Sequence, residues 1–586
     1  MHTINNKGIL LSIFLIIALF CHASVPSEAN FIRLEKTFKL NSDGSQEFRC
    51  NKILKIHSHP AMNSTYGETF IVYNPAYQKL IIHSSYTKMV DGTIVKTPDN
   101  AFNEVLPRYA SGATAYNNLK EMVVTHTGLE LGATIYLDYS IITNSDRNQQ
   151  LDIKEILQES SPVDECKITI VAPKDKHLSY QLTGLSSLKT IQKNHIEGDQ
   201  KIISCQLSNI PAASQELYQP ENNPMTPTLW LSGYPSFKDA LSNIKKELSK
   251  VRALESETFA QFITENLTDD KSKAIAIIDH VINGISLTPV PLDNIGNNVR
   301  EADEVLRSTY GTEVEKANLL AIMLKAVDLP AEIIAVTPKY VNVDNCGLKA
   351  VKEWLVKTSL NGKERYISVK TISASLIPFQ GSMYRASTLD GNILDIPDRK
   401  AVLNCTYDIE ISTSQADVKT KIEADSELFP IDFQAYVKQL TGSNNAQVTN
   451  YNNGIFTIEF TTTNRISNKD EYFTYKLPEI PFSSRVLNSK RNQPLEIPYL
   501  SDVLYDYHIS LSDGIELQSN PRIKTINNSV GTFDIETKTQ NSSISIKKKY
   551  EIKKQLIYPN EYQLFRTLNN ENEVNQGKEL IFEIKK

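Results

Sequence analysis

From Val314 to Val327 the chain reads Val-Glu-Lys-Ala-Asn-Leu-Leu-Ala-Ile-Met-Leu-Lys-Ala-Val. Ala317, Leu319, Leu320, Ile322, Met323, Leu324 and Val327 leave almost no polar side on a helical wheel. Such a helix cannot lie on a surface; other layers must cover it nearly all round. The segment starts cleanly. Thr312 and Glu315 have the spacing of a capping box, with Thr312 as the cap and Glu313 as the first helical residue.

Elements that can supply the cover lie on both sides. Ser236 to Glu265 reads as helix, loop, helix, and Lys271 to Ile282 puts Ala274, Ile277, Ile278 and Val281 on one helical face. Strand-like runs follow at Glu332 to Val336, Trp354 to Thr358 and Tyr366 to Val369. Helices followed by antiparallel strands imply an α+β layer domain. At 586 residues the chain is long enough for about three domains.

The flanks read as β-structure. From Phe31 to about Tyr218 short alternating runs are divided by turn signals, Ser42-Asp43-Gly44-Ser45 and Asp91-Gly92 among them. Asp-Gly between strand formers predicts a two-residue hairpin with positive φ at both turn positions. A second β run holds Lys167 to Val171 and Lys201 to Cys205, so a β-sandwich-like domain is expected. Gln219 to Thr228, with three prolines, reads as a linker. From about Asn404 the chain returns to β, for example at Ile455 to Phe460 after Asn453-Gly454. No internal repeat of fixed period is present. The expected multidomain α+β division is a signal peptide over 1–23, a β-rich domain over 24–228, an α+β core over 229–403 and a C-terminal β-rich domain over 404–586.

The N-terminus predicts export. Met1 to Lys7 is short and weakly basic, Gly8 to Phe20 is apolar, and Cys21-His22-Ala23 offers a cleavage site before Ser24. As a helix the apolar run would span roughly 20 Å, short of the roughly 30 Å hydrocarbon core. A periplasmic or cell-surface protein of a Gram-negative bacterium is the expectation, with no transmembrane segment in the mature chain. Charge excludes one partner class: 62 basic against 68 acidic residues, without a long Lys/Arg run, make no nucleic-acid surface.

The six cysteines, Cys21, Cys50, Cys166, Cys205, Cys346 and Cys405, show no metal-type spacing. Cys166 and Cys205 could pair, both lying in strand-like segments of one region. His57 and His59 would share one face of a strand, where an exposed face outweighs a metal pair lacking a third ligand. No metal or other cofactor is expected. Lys547-Lys548-Lys549 reads as a solvated or edge-protecting strand segment. Glu313, Glu315 and Glu353 could cluster as paired carboxylates, but a capping Glu315 with Glu313 and Glu353 in solvent is favoured. Phosphate-binding glycine loops and the G-x-S-x-G elbow are absent.

Tyr310-Gly311-Thr312-Glu313-Val314-Glu315-Lys316-Ala317-Asn318-Leu319-Leu320, followed by Asp328-Leu329-Pro330-Ala331, resembles the transglutaminase-like superfamily. That family's pattern is Tyr-Gly-x-Cys-x-Asp-Lys-Ala-x-Leu-Leu, a buried helix, then Gly-Ile-x-Ala. More narrowly it is similar to exported bacterial members with a β-rich domain on either side of the core. Tyr73-Asn74-Pro75, the Asp91-Gly92 hairpin and Gly128 to Gly132 with Tyr139 suit the N-terminal flank. Leu477-Pro478, Arg485 and Tyr562 with Phe565 suit the C-terminal one.

The resemblance implies a papain-like α+β core and a cysteine nucleophile at position 313, activated by the helix start, a histidine and an aspartate. Glutamate stands at 313 instead. The histidine position matches Glu353, in Glu353-Trp354-Leu355-Val356. The aspartate position matches Val369, in Tyr366-Ile367-Ser368-Val369-Lys370-Thr371. No histidine occurs between His280 and His508, which leaves Cys346 and Cys405 without a base from their own region. The expectation is a pseudoenzyme with degenerate positions Glu313, Glu353 and Val369. Its former cleft, with Tyr310, Glu313 and Trp354, would bind a peptide, glycan or protein partner. A residual cysteine protease or transglutaminase, or a carboxylate-based hydrolase, is the alternative.

Overall fold

The computed structural model describes residues 27–585 apart from 64, 146–149, 186–187, 250–252, 361, 371–382, 397, 399, 426–437, 440–447, 453–454, 467–470, 481–487, 498–499 and 575–577. The predicted signal peptide, Arg485, Thr371 and the Asn453-Gly454 turn lie outside the described residues. Three large apolar cores form, in the N-terminal, middle and C-terminal thirds.

The first core belongs to a sandwich. Its large sheet contains β1 (Ala29–Leu40), β2 (Gln46–Ile56), β3 (Gln78–Lys88), β4 (Ile94–Lys96) and β5 (Thr134–Thr143). A second layer uses β6 (Asp152–Ile156), while β7 (Val163–Pro173), β8 (Lys189–Glu197) and β9 (Gln200–Ile210) complete the large sheet in the order β8-β9-β7-β1-β2-β5-β3-β4. β10 (Thr228–Ser232) pairs with β6 and with Ser179–Thr183. It therefore belongs to the second layer, across the expected domain boundary.

The expected hairpins form by another turn. Only the glycines take positive φ, Gly44 at 87° and Gly92 at 91°. Gly92 N–H donates to Met89 O and Met89 N–H to Thr93 O. These bonds describe a turn closed by a left-handed glycine, which matches strand twist with one special residue. The Gln219 to Thr228 segment is no loose linker. Asn222 accepts from Lys154 Nζ, and Asn223 donates to Gln493 in the C-terminal domain.

In the middle domain α1 (Phe237–Ser249), α2 (Leu254–Thr264), α3 (Asp270–Asp279) and α4 (Ala302–Ser308) surround α5 (Glu313–Lys325). Beside α5 lies an antiparallel sheet of β11 (Ala331–Pro338), β12 (Glu353–Leu360), β13 (Lys363–Ser368), β14 (Tyr384–Thr388) and β15 (Ile393–Leu394), ordered β13-β12-β11-β14-β15. Nearly every residue of α5 is buried, as the apolar run demands. Asp328, just past the helix, takes a φ of 65°. Leu329 N–H then closes the end by donating to Leu324 O.

The C-terminal sheet holds β16 (Lys400–Ile411), β17 (Gln415–Asp425), β18 (Val448–Asn452), β19 (Ile455–Arg465), β20 (Leu500–Leu511), β21 (Ile523–Asn527), β22 (Gly531–Gln540) and β23 (Ser543–Ile552). Its order is β18-β19-β17-β16-β20-β23-β22-β21. The two arms follow one path. Each starts with a hairpin, β1-β2 or β16-β17, and adds a strand inserted beside it, β5 or β19. Each then crosses to a parallel partner of its first strand, β7 on β1 or β20 on β16. On the far side a later strand again slots in, β9 or β23. The sequence shows no period here because strand order is a non-local property. The C-terminal domain is also not purely β: α6 (Tyr562–Glu573) buries Tyr562, Phe565 and Leu568 against the sheet.

Lys547 and Lys549 are exposed, as expected of a solvated segment, but this is no sheet edge and Lys548 is not in solvent. β23 lies inside the sheet, and Lys548 is buried, its Nζ 2.8 Å from Glu479 and 3.0 Å from Asn572 O. A buried ammonium persists only with such partners. Cys166 and Cys205 are free, buried thiols. They face Leu207 and Ile168 across β7 and β9 rather than each other.

Candidate functional site

The site is built around the start of α5. Thr312 caps the helix in extended conformation. The predicted capping box forms: Thr312 N–H donates to Glu315 Oε2 at 2.9 Å and the Thr312 side chain faces the Glu315 backbone, though its hydroxyl stays short of full hydrogen-bond geometry. Glu315 is diverted to a larger task. Its side chain is fully buried and accepts from Arg300 at 3.1 Å and from the Tyr116 hydroxyl at 2.7 Å. Burial works against its charge, but Arg300 and two backbone N–H groups outweigh burial and hold its carboxyl below the usual range.

Glu313, one residue into the helix, is not solvated either. Its Oε1 accepts from Trp354 N–H at 2.6 Å, and Lys370 Nζ lies 2.8 Å from Oε2. Burial is the largest influence and pushes its carboxyl above the ordinary value despite the lysine. Glu353 turns away to Ser368, whose hydroxyl it accepts. Val369 and Trp354 both pack in the apolar cluster that contains Val314 of α5. One step beyond the Leu355–Ser368 pair, the antiparallel register sets them opposite each other. The helix-facing side at this point of the sheet is therefore Trp354 and Val369, with Glu353 on the other side.

Glu313, Trp354 and Lys370 line a cavity of about 660 Å³ between the middle domain and the N-terminal sandwich. Phe48 and Ile141 of the sandwich form part of its wall, and Val290 and Val351 of the middle domain another part. Tyr310 is not in this cavity. It borders two neighbouring hollows, stacks under Arg300 at 4.6 Å and bonds Ala115 N–H through its hydroxyl at 2.8 Å. Among the described residues lining the Glu313 cavity there is no cysteine and no histidine.

The remaining candidates are elsewhere. Cys346 is fully buried beside Trp230, Val341 and Ala350, and burial pushes its thiol far up. His280 packs tilted against Phe259, ring centroids 4.7 Å apart, and burial lowers its pKa. His126 is buried in the sandwich, bonded to Thr69, with its pKa lowered to about 3 by burial and by Lys52. His508 is exposed on β20, 3.7 Å from Asp506. His57 and His59 follow the end of β2 instead of sharing its face, and His57 bonds Asn30. Among the described residues no group of three His, Cys, Asp or Glu could hold a metal ion.

Sequence reading missed Lys370, Arg300, Tyr116 and Asp152. Their partners lie in other elements, and no local pattern marks them. Asp152 opens β6 and lines the same cavity; it accepts from Leu348 N–H at 2.7 Å and Lys349 N–H at 3.3 Å.

Residues 257–367 match the model of the transglutaminase-like superfamily core. Residues 42–214 match a domain of unknown function, DUF3857, and residues 469–582 another, DUF3858. A solved structure described as a "putative protease" from Parabacteroides distasonis ATCC 8503 is 38% identical, with a TM-score of 0.73 over 95% of this chain and 99% of that one. No curated protein matches. Among the described residues no helix is long and apolar enough to cross a membrane. The buried, capped central helix, its antiparallel sheet and the two β arms agree with these matches, and the chain belongs to the transglutaminase-like superfamily, with a core flanked by DUF3857 and DUF3858 domains.

Proposed function

We propose that this chain is an exported, non-catalytic member of the superfamily that binds a peptide, a glycan or another envelope component in the cavity beside Glu313. The observation that carries the reading is the state of Glu313. A thiolate at a helix start attacks amides because the helix dipole and free N–H groups stabilise it and a histidine manages the proton. Here the position carries a carboxylate, a poor amide nucleophile. Lys370 and Trp354 N–H occupy its two oxygens. The described cavity wall supplies neither thiol nor imidazole.

The similarity to a protein described as a "putative protease" favours a second reading, a residual hydrolase. One experiment separates them. The purified chain is incubated with unstructured protein and short peptides, and both cleavage and thermal shift are followed. Binding without cleavage is expected. Amide hydrolysis or transfer that disappears in Glu313→Ala would overturn the non-catalytic reading.

A further inference from the structure

Within the same cavity two carboxylates, Glu47 and Asp152, have no cation within ion-pair distance among the described residues, and only Asp152 is fixed by backbone N–H groups on both oxygens. Glu155, Asp293 and Glu313 each face a lysine, Lys36, Lys349 and Lys370 respectively. Glu47 accepts from the Ser140 hydroxyl. Asp152 has no cation within ion-pair distance among the described residues, because Lys349, next to it, turns its ammonium to Asp293 at 2.6 Å.

Asp152 is nevertheless held firmly. One backbone N–H reaches each oxygen, Leu348 to Oδ2 and Lys349 to Oδ1. Gly347, at a φ of 55°, lets the loop close over the carboxylate; a Cβ there would come within 2.6 Å of Oδ1. An ionised carboxylate has about four acceptor sites, and these two bonds leave acceptor capacity on both oxygens. Asp152 is half-buried and feels Lys349 only from beyond contact distance, so a cation brought against its open acceptor sites would be favoured. Apolar surface from Phe48, Ile141, Val290 and Val351 adjoins it in the wall.

We propose that the cavity takes a primary ammonium group of a peptide on the Asp152 carboxylate, with the adjoining aliphatic part against the apolar wall. The proposal rests on the binding reading above and narrows it from any ligand to an amine-bearing one. The ammonium comes from a peptide N-terminus or from a lysine side chain; both offer N–H donors to the open acceptor sites.

The test uses the full chain and calorimetric titration with three peptides: Leu-Ala-Val amide with a free amino terminus, N-acetyl-Leu-Ala-Lys amide, and N-acetyl-Leu-Ala-Val amide. At least one of the first two should bind about tenfold or more tightly than the third, as expected for a charge-assisted bond. Which one does identifies the source of the ammonium. Asp152→Asn keeps an acceptor for the Leu348 N–H and should erase the difference. Equal affinity of all three peptides for the native chain would overturn the ammonium proposal while leaving the binding reading intact. Binding of none of the three would overturn the amine proposal, and loss of the thermal shifts described above as well would remove the binding reading with it. The comparison among peptides on the native chain does not depend on how the variant folds.

Discussion

The Tyr116 hydroxyl donates to Glu315 Oε2 at 2.7 Å, joining the N-terminal sandwich to the first turn of the central helix. Arg300 completes the junction. Its guanidinium lies 3.1 Å from Glu315 and stacks over the rings of Tyr116 at 5.3 Å and Tyr310 at 4.6 Å. The N-terminal arm is thus wired to the element that positions the candidate site.

This junction gives two graded predictions. Tyr116→Phe removes one hydrogen bond to a charged acceptor, about 1.5–3 kcal/mol. Glu315→Ala leaves a largely buried guanidinium without its anion, about 3–5 kcal/mol. Urea unfolding of the full chain should show the larger loss for Glu315→Ala. The reverse order would mean that Arg300 is not held by Glu315.

At the helix start the prediction concerns reactivity. The five cysteines from Cys50 onward are buried and free, so these five thiols should resist iodoacetamide at neutral pH. Glu313→Cys places a thiol at the N-terminus of α5 beside Lys370, where its pKa should fall. From residue 50 onward, mass spectrometry should find rapid alkylation at position 313 alone. Adding a histidine at 354 with Val369→Asp should raise the rate further, whereas Glu353→His should not, since Glu353 turns to Ser368. A larger gain from position 353 would reverse the assignment of the two faces of β12.

How much of this was legible in sequence follows from range. The central helix was, because its cap and apolar run are contiguous from Thr312 to Val327. The hairpins were too, although a left-handed glycine in place of two positive-φ residues closes them. The C-terminal helix was missed: its stripe of Tyr562, Phe565 and Leu568 is continued by buried Asn569 and Asn572, which read as surface residues. The site was legible only as a position. That Glu313 would be clamped rather than solvated depends on Lys370 and Trp354, 57 and 41 residues away along the numbering of the same chain. Trp354 and Val369 could be placed on the helix side only once the register was known.

Asp328 gives a prediction on stability. The resemblance expects glycine there, and Asp328 adopts a φ of 65°. A left-handed residue with a Cβ costs roughly 1 kcal/mol, less for aspartate than for branched residues. Asp328→Gly should raise the unfolding free energy of the middle domain by up to about 1 kcal/mol, read as a higher urea midpoint. A loss would mean that the aspartate side chain supports the helix end by a contact that outweighs strain.

Asp152 ties stability to pH. Burial raises its pKa from 3.8 to about 7, against smaller opposing effects of Lys349 and of the Leu348 and Lys349 N–H groups. Asp293, Tyr234 and Cys346 also face it. A carboxyl whose folded pKa is raised binds its proton more tightly when folded. Its contribution is therefore complete below about 4 and is lost as pH rises to about 7. Without ligand, the Asp152 contribution should fall across that window by a few kcal/mol, on the order set by a three-unit shift. Subtracting the urea stability of Asp152→Asn from that of the native chain at each pH isolates this contribution. A difference that stays flat between pH 4 and 7 would show that Asp152 is already compensated, and an ammonium ligand should flatten it in the native chain by supplying the missing charge.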